Sequence, residues 1–199
     1  MSVTIRSAGV DDAEAIAAVH NASLQASYRP LIPERIAHLV LDPPEVAPRI
    51  PGWRRCLEKP RVSTTLVGCD DREVVGFCTL RAAPGDDAGT ATGEIWALFV
   101  RPSHWRRGIG GLLCARSLAD ARARGFSGVD LWELESNEHA RRFFHSMGFR
   151  ADGETRIFLE HAGVSLRELR YRRTTQPTAQ ESPLRERRTT LRYTVTRTQ

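Results

Sequence analysis

At 199 residues and 41% hydrophobic content the chain is long enough for one well-filled core and short for two, so a single domain with room for a tail is expected. The longest apolar run, Ile95 to Val100, is far below the ~20 residues that cross a bilayer, and no basic, apolar, small-residue leader opens the chain; no membrane partner and a cytoplasmic, soluble protein are expected. The net charge of +5 hints at nucleic acid, yet the last 26 residues hold five arginines against two glutamates, so the folded part is nearly balanced and nucleic-acid binding is not expected.

In chain order, Val3 to Arg6 alternates as a short strand, and Asp11-Asp12-Ala13-Glu14 offers a capping-box-like start to a helix running towards Gln25. A second helix begins near Pro33, a residue suited to a first turn, and stops before Asp42-Pro43-Pro44. Pro48, Pro51 and Pro60 break the following stretch, leaving a short helix around Trp53 to Glu58. Thr65-Leu66-Val67 and Val74 to Leu80 flank the polar turn Asp70-Asp71-Arg72 and read as an antiparallel hairpin.

A Gly, Asp and Ala-rich loop, Ala82 to Gly93, precedes a strand over Glu94 to Val100. Gly110 to Arg124 reads as a helix with Leu112, Ala115, Ala119 and Ala123 on one face, and Val129 to Glu135 as another strand, which together make a β-α-β unit. Asn137 to Met147 is a short helix closed by Gly148, and Phe149 to Glu160 with Val164 to Arg172 form a last strand pair. The mixture is α/β (α+β), with a domain over 1–173. Residues 174–199 form a polar, proline-bearing basic tail in which Leu191 to Val195 is β-prone.

The segment with chemistry is Trp105-Arg106-Arg107-Gly108-Ile109-Gly110-Gly111, between an apolar strand and a helix. Its glycines permit a tight turn that exposes N–H groups at a helix N-terminus, where the dipole favours an anion such as pyrophosphate, with Arg106 and Arg107 adding charge. A dinucleotide fingerprint fails because the third glycine is missing and the turn comes after half the chain. A Walker loop fails because no Gly-Lys-Ser/Thr ending follows. The four cysteines, Cys56, Cys69, Cys78 and Cys114, lack C-x-x-C spacing, and the histidines show no ligand spacing, so no metal is expected.

At these residues the chain resembles the GCN5-related N-acetyltransferase (GNAT) superfamily, whose pyrophosphate loop is Gln/Arg-x-x-Gly-x-Gly/Ala. Trp105 stands at the Gln/Arg position, which matters little if the backbone amides of Arg106, Arg107, Gly108, Ile109, Gly110 and Gly111 hold the anion. Asn137-x-x-Ala140-x-x-Phe143-Phe144-x-x-x-Gly148-Phe149 is similar to the second cofactor segment. The resemblance, over Val3 to Arg172, implies a mostly antiparallel sheet of about seven strands flanked by helices, splayed between the fourth and fifth strands. It implies acetyl-CoA as cosubstrate, with Phe99 and Val100 presenting backbone groups to the pantetheine arm and Asn137 and Phe144 lining its other side. It further implies acetyl transfer to a small-molecule or peptide primary amine, and admits a homodimer.

Attack on a thioester needs a deprotonated amine, so a base is required. Glu94 matches a glutamate that serves as base in some superfamily members. Period two puts Glu94, Trp96, Leu98 and Val100 on one face, where the carboxyl is expected to sit among apolar neighbours. Glu133 and Glu135 lie on the opposite lip, and Glu135 is preferred as a substrate-site wall because Ser136-Asn137 follows it. Phe144 stands where the superfamily usually has a proton-donating tyrosine; water, His145, Ser146 or Tyr28 are the substitutes, with Tyr28 preferred as a wall of the substrate loop. Phenylalanine there also admits a non-catalytic acyl-CoA sensor.

Overall fold

The computed structural model describes residues 3–41, 45–59, 62–84 and 92–175. Asp42-Pro43-Pro44, the middle of the Ala82 to Gly93 loop and the β-prone 191–195 stretch lie outside the described residues. The elements are β1 (Val3–Ser7), α1 (Ala13–Tyr28), α2 (Glu34–Leu41), α3 (Ile50–Leu57), β2 (Ser63–Asp70), β3 (Glu73–Ala82) and β4 (Thr92–Val100). They continue with α4 (Ile109–Ala123), β5 (Gly128–Leu134), α5 (Glu138–Ser146), β6 (Arg150–His161) and β7 (Val164–Thr174).

A single seven-stranded sheet runs in the order β1-β2-β3-β4-β5-β7-β6. Every neighbouring pair is antiparallel except β4 and β5. Those two are joined by the α4 crossover, the connection that parallel neighbours require. The cap before α1 is one turn earlier than Asp11 to Glu14 suggests. Asp12 reaches back to the Gly9 N–H at 2.8 Å while both its oxygens hold Arg6 at 2.7 Å, so β1 and the helix start are fastened by the same carboxylate.

Helices cover both faces. Against one face α4 buries Ile109, Leu113, Cys114, Ser117 and Ala121, together with Phe144 and Phe149 from the α5 region. The expected stripe of Leu112, Ala115, Ala119 and Ala123 is therefore not the packed one. α4 carries alanines on both its buried and its exposed sides, so alanine spacing gives little directional information; the larger Ile109 and Leu113 set the buried side and Arg116, Ala119 and Arg122 the exposed one. On the other face α1 and α3 pack Ile16, Val19 and Trp53 over Val67, Phe77 and Ala97, while α2 buries Ile36 and Leu41 beside Leu134 and Leu166.

Two irregularities of β4 shape the site. Thr79 pairs with Ala97 but Leu80 with Ile95, so Trp96 is the extra residue of a β-bulge. Ile95 consequently shares the α4 face with Leu98 and Val100, while Ala97 and Phe99 face α1 and α3. Glu94, neighbour of Ile95, is turned to the face opposite Leu98 and Val100, which corrects the period-two expectation: alternation cannot register an inserted residue. The parallel pairing of β4 with β5 extends only through Glu94 and Asp130. Beyond that point the two strands diverge, as expected for a sheet splayed between its fourth and fifth strands.

Candidate active site

A cleft of ≈ 580 Å³ occupies the divergence, reaching from Gly108, Ile109, Gly110 and Gly111 past Leu98 and Phe99 to Tyr28 and Glu133. Its anion end is the start of α4. Gly108 is the N-cap with φ 81°, a left-handed conformation that suits glycine, and it supplies no side-chain cap to the first helical N–H groups. Arg106, also at positive φ, lines the same end, whereas Arg107 lies outside the lining. Trp105 closes the end of β4: its indole N–H donates to the Val100 carbonyl at 2.5 Å and its ring lies 5.9 Å from that of His139.

Pairing decides which backbone groups of β4 face the gap. Arg101 N–H donates to the Val75 carbonyl, so residues 101 and 75, and in alternation Phe99 and Phe77, form the pairs hydrogen-bonded to β3. Phe99 therefore spends its backbone on β3, while Leu98 and Val100 direct theirs towards β5. The Val100 carbonyl is further occupied by the Ser23 hydroxyl at 3.0 Å and by Trp105, which leaves its N–H. Leu98, which is not among the residues expected to present backbone groups, joins Val100 at this edge.

The second wall comes from β5 and α5. Asn137 caps α5 through its carbonyl oxygen, which accepts from Ala140 N–H at 3.3 Å, and its amide donates to Glu133 Oε1 at 3.0 Å. Oε1 also accepts from the Leu134 N–H at 3.0 Å and from the Tyr28 hydroxyl at 3.5 Å. Glu133 is 7% exposed, and burial pushes its carboxyl up to about 7 against these hydrogen bonds. Burial, with Glu133 and Glu168 nearby, also raises the Tyr28 phenol well above its usual range. Phe144 is buried, its ring 5.1 Å from Phe143 and 5.9 Å from Phe149.

Not all residues singled out from sequence meet here. Glu94 is buried but does not line this cleft; Arg81 Nε holds its Oε2 at 2.7 Å, and it borders a smaller cavity with Asp130, Trp132 and Arg172. Its neighbours are thus a guanidinium and a second carboxylate rather than the apolar surface expected. Glu135 is half exposed, 3.4 Å from Arg167, and borders a separate cavity with Leu31 and Pro33. Glu133, weighed second to Glu135 in the sequence, is the one in the cleft, and the signal was its place inside the strand rather than at its end.

Of the tryptophans, Trp53 is core, whereas Trp96 is 48% exposed and lines the cleft at the bulge, its ring 5.7 Å from Trp53 and 5.5 Å from the Arg81 guanidinium. Cys78 on β3 and Cys114 on α4 are buried between that helix and the sheet with thiols pushed up by burial, Cys114 to about 12, and neither lines the cleft. Among the described residues no group of three or more His, Cys, Asp or Glu is arranged to hold a metal, and no helix is long and apolar enough to cross a membrane.

A sheet split at its parallel pair, with an uncapped helix N-terminus at one end of the cleft and a buried carboxyl at the other, makes a binding cleft with one anion-favouring end. Residues 32–149 match the model of the acetyltransferase (GNAT) family, more than half of the chain, and the chain belongs to that family. Among curated proteins, a mycothiol acetyltransferase of Beutenbergia cavernae is 42% identical over 30% of this chain and 20% of its own length. A probable N-acetyltransferase of Mycobacterium tuberculosis is 34% identical over 40% of this chain and 44% of its own length. The chain thus spans between a fifth and less than half of these relatives.

Solved structures share the fold over nearly the whole described chain. An N-acetyltransferase from Staphylococcus aureus Mu50 superposes with TM-score 0.70 at 21% identity, covering 88% of this chain and 100% of that one. YncA from Salmonella typhimurium, solved with acetyl-CoA, gives 0.69 at 21% identity over 92% and 98%.

Proposed function

We propose that the protein is an acetyl-CoA-dependent N-acetyltransferase that moves the acetyl group to a primary amine by direct attack within a ternary complex. The observation that carries this reading is Glu133, a buried carboxylate with pKa about 7 on a cleft that starts at an uncapped helix N-terminus. Acetyl-CoA supplies an activated thioester. The N–H groups of Ile109, Gly110 and Gly111, with Arg106 beside them, are placed to hold its pyrophosphate. The Val100 N–H and the Leu98 backbone face the pantetheine path, with Phe144 and Asn137 opposite. The fit is supported by the missing Cβ at Gly108, where no atom lies within 4 Å of the position a Cβ would take.

Glu133 is the base in this proposal. A carboxylate half ionised near neutral pH can take the proton that a primary amine releases as its nitrogen becomes bonded to carbon, and it is ready again once that proton leaves. Glu94, ion-paired with Arg81, keeps an electrostatic part beneath the bulge. The mycothiol acetyltransferases among the relatives make a small-molecule amine the acceptor class to test first.

A second reading, an acyl-CoA sensor without turnover, is favoured by one observation: Phe144 brings no hydroxyl to the cleft. Release of free thiol from acetyl-CoA across a panel of small amines and peptide N-termini separates the two. Amine-dependent release that collapses in Glu133→Gln supports the enzyme. Tight CoA binding with no release on any amine supports the sensor and rejects the enzyme.

A further inference from the structure

Leaving sulfur needs a proton, and the wall formed by α5 has none to give at position 144. The Phe144 ring is packed against Phe143 and Phe149, the Ser146 hydroxyl donates to the Phe143 carbonyl at 2.6 Å, and His145 lies outside the cleft lining. His104 and His139 do line the cleft, but at the Trp105 end, His104 beside Ser103 and 3.7 Å from Asp70. The Ser23 hydroxyl is committed to the Val100 carbonyl. On the opposite wall, the last residue of α1 carries a phenol into the same cleft, 3.5 Å from Glu133 Oε1.

Resting on the acetyltransferase reading above, we propose that Tyr28 is the proton donor to the leaving thiolate and forms one proton circuit with Glu133. As the amine nitrogen bonds to the acetyl carbon, Glu133 accepts one proton from nitrogen. As the carbon–sulfur bond breaks, its electron pair stays on sulfur and Tyr28 gives sulfur a proton. Glu133 then passes the proton it took to the Tyr28 oxygen. One proton has moved from amine to thiol, and both side chains return to their starting states.

The order of acidities supports the circuit. A buried phenol stays protonated at working pH, so the donor is always loaded. By itself it is too weak an acid for a thiolate whose thiol has pKa ~8.5, but the circuit as a whole runs from Glu133, at about 7, to that thiolate, which is downhill. Glu168, whose charge also bears on Tyr28, is held by Arg156 Nε at 2.6 Å and so leaves Glu133 as the hydroxyl's direct partner. The lone remaining hydroxyl on that wall is Ser27, far too weak an acid to compete, and it serves as the control.

The test uses the full chain and two readouts. The first needs no turnover: CoA is bound and its thiol titrated by thiolate ultraviolet absorbance in wild type, Tyr28→Phe and Ser27→Ala. A hydroxyl aimed at sulfur stabilises the thiolate, so bound-thiol pKa should rise by about one unit in Tyr28→Phe and stay put in Ser27→Ala. The second is steady-state acetyl transfer. Tyr28→Phe should lower kcat by about 10²–10⁴-fold with the CoA Kd within about twofold of wild type, and Phe144→Tyr added to it should recover at least part of the loss by offering a phenol from the other wall. An unchanged thiol pKa, or a kcat within about threefold of wild type, overturns the Tyr28 assignment while leaving the acetyltransferase reading intact. Failure of the protein to bind CoA at all sinks both, and it is seen before either variant is made.

Discussion

The Tyr28 hydroxyl and Glu133 Oε1 stand 3.5 Å apart, although 105 residues separate them and α1 and β5 belong to different layers. They meet because β4 and β5 stop pairing after Glu94 and Asp130, which opens the sheet enough for a side chain on α1 to touch one on β5. This contact organises the expected behaviour of the site.

Glu133→Gln keeps the shape and the hydrogen bonds to Leu134, Asn137 and Tyr28 but cannot take a proton. Acetyl transfer should fall by about 10²–10⁴-fold, and the acidic limb of the rate profile, set near pH 7 in wild type, should disappear. Glu94→Gln should instead cost stability through the weakened Arg81 pair, about 1–3 kcal/mol, with kcat within about tenfold. The reverse ranking of the two variants in kcat would return the base to Glu94.

The same carboxyl links stability to pH. Its folded pKa of about 7 lies above the ordinary 4.5, so between those values the folded state holds a proton that the unfolded state has lost. Its contribution is complete below pH 4.5 and fades as pH rises through about 7, by roughly 3 kcal/mol in all. Urea unfolding across this range should show Glu133→Gln gaining on wild type as pH rises. A constant difference between them would mean that the carboxyl titrates at its ordinary value.

Gly108→Ala tests the anion turn without a clash, since no atom lies within 4 Å of the added Cβ; the cost is the left-handed φ of 81°. That strain is worth about 1–2 kcal/mol, and relaxing it should turn the first N–H groups of α4 and weaken CoA binding by about tenfold. Isothermal titration decides it, with Gly52→Ala, inside α3 and equally uncrowded, as a variant that should be neutral or slightly stabilising.

Trp96→Ala removes an exposed wall at the bulge. The acceptor KM should rise by about tenfold while the CoA Kd is unchanged, since the residue lines the cleft but lies away from the turn before α4. A change confined to CoA binding would place the acceptor elsewhere.

Much of the fold was legible because its signals are local. The hairpin of β2 and β3, the β4-α4-β5 unit and the closing pair β6 and β7 were visible as alternation broken by turn residues, and their bounds lie within a residue or two of expectation except at β2, which runs three residues past Val67 to Asp70. What failed was direction. The packed side of α4 was misread because alanines mark no preferred face, and the face of Glu94 was misread because one inserted residue, Trp96, reverses the alternation downstream.

By itself the sequence determined the anion-favouring turn: Gly108-Ile109-Gly110-Gly111 at a helix start are covalent near neighbours whose geometry follows from short-range backbone rules, and their likeness to the family's loop pointed to acetyl-CoA. Only the tertiary structure decided which carboxylate faces the cleft and which hydroxyl stands beside it. Glu94, Glu133 and Glu135 are equivalent as letters; strand register gave the first to Arg81, turned the second into a buried gap against Tyr28, and left the third on the surface beside Arg167. Register is a property of paired strands, and a burial-raised pKa is a property of everything packed around a group, so neither can be read from the residues that carry them.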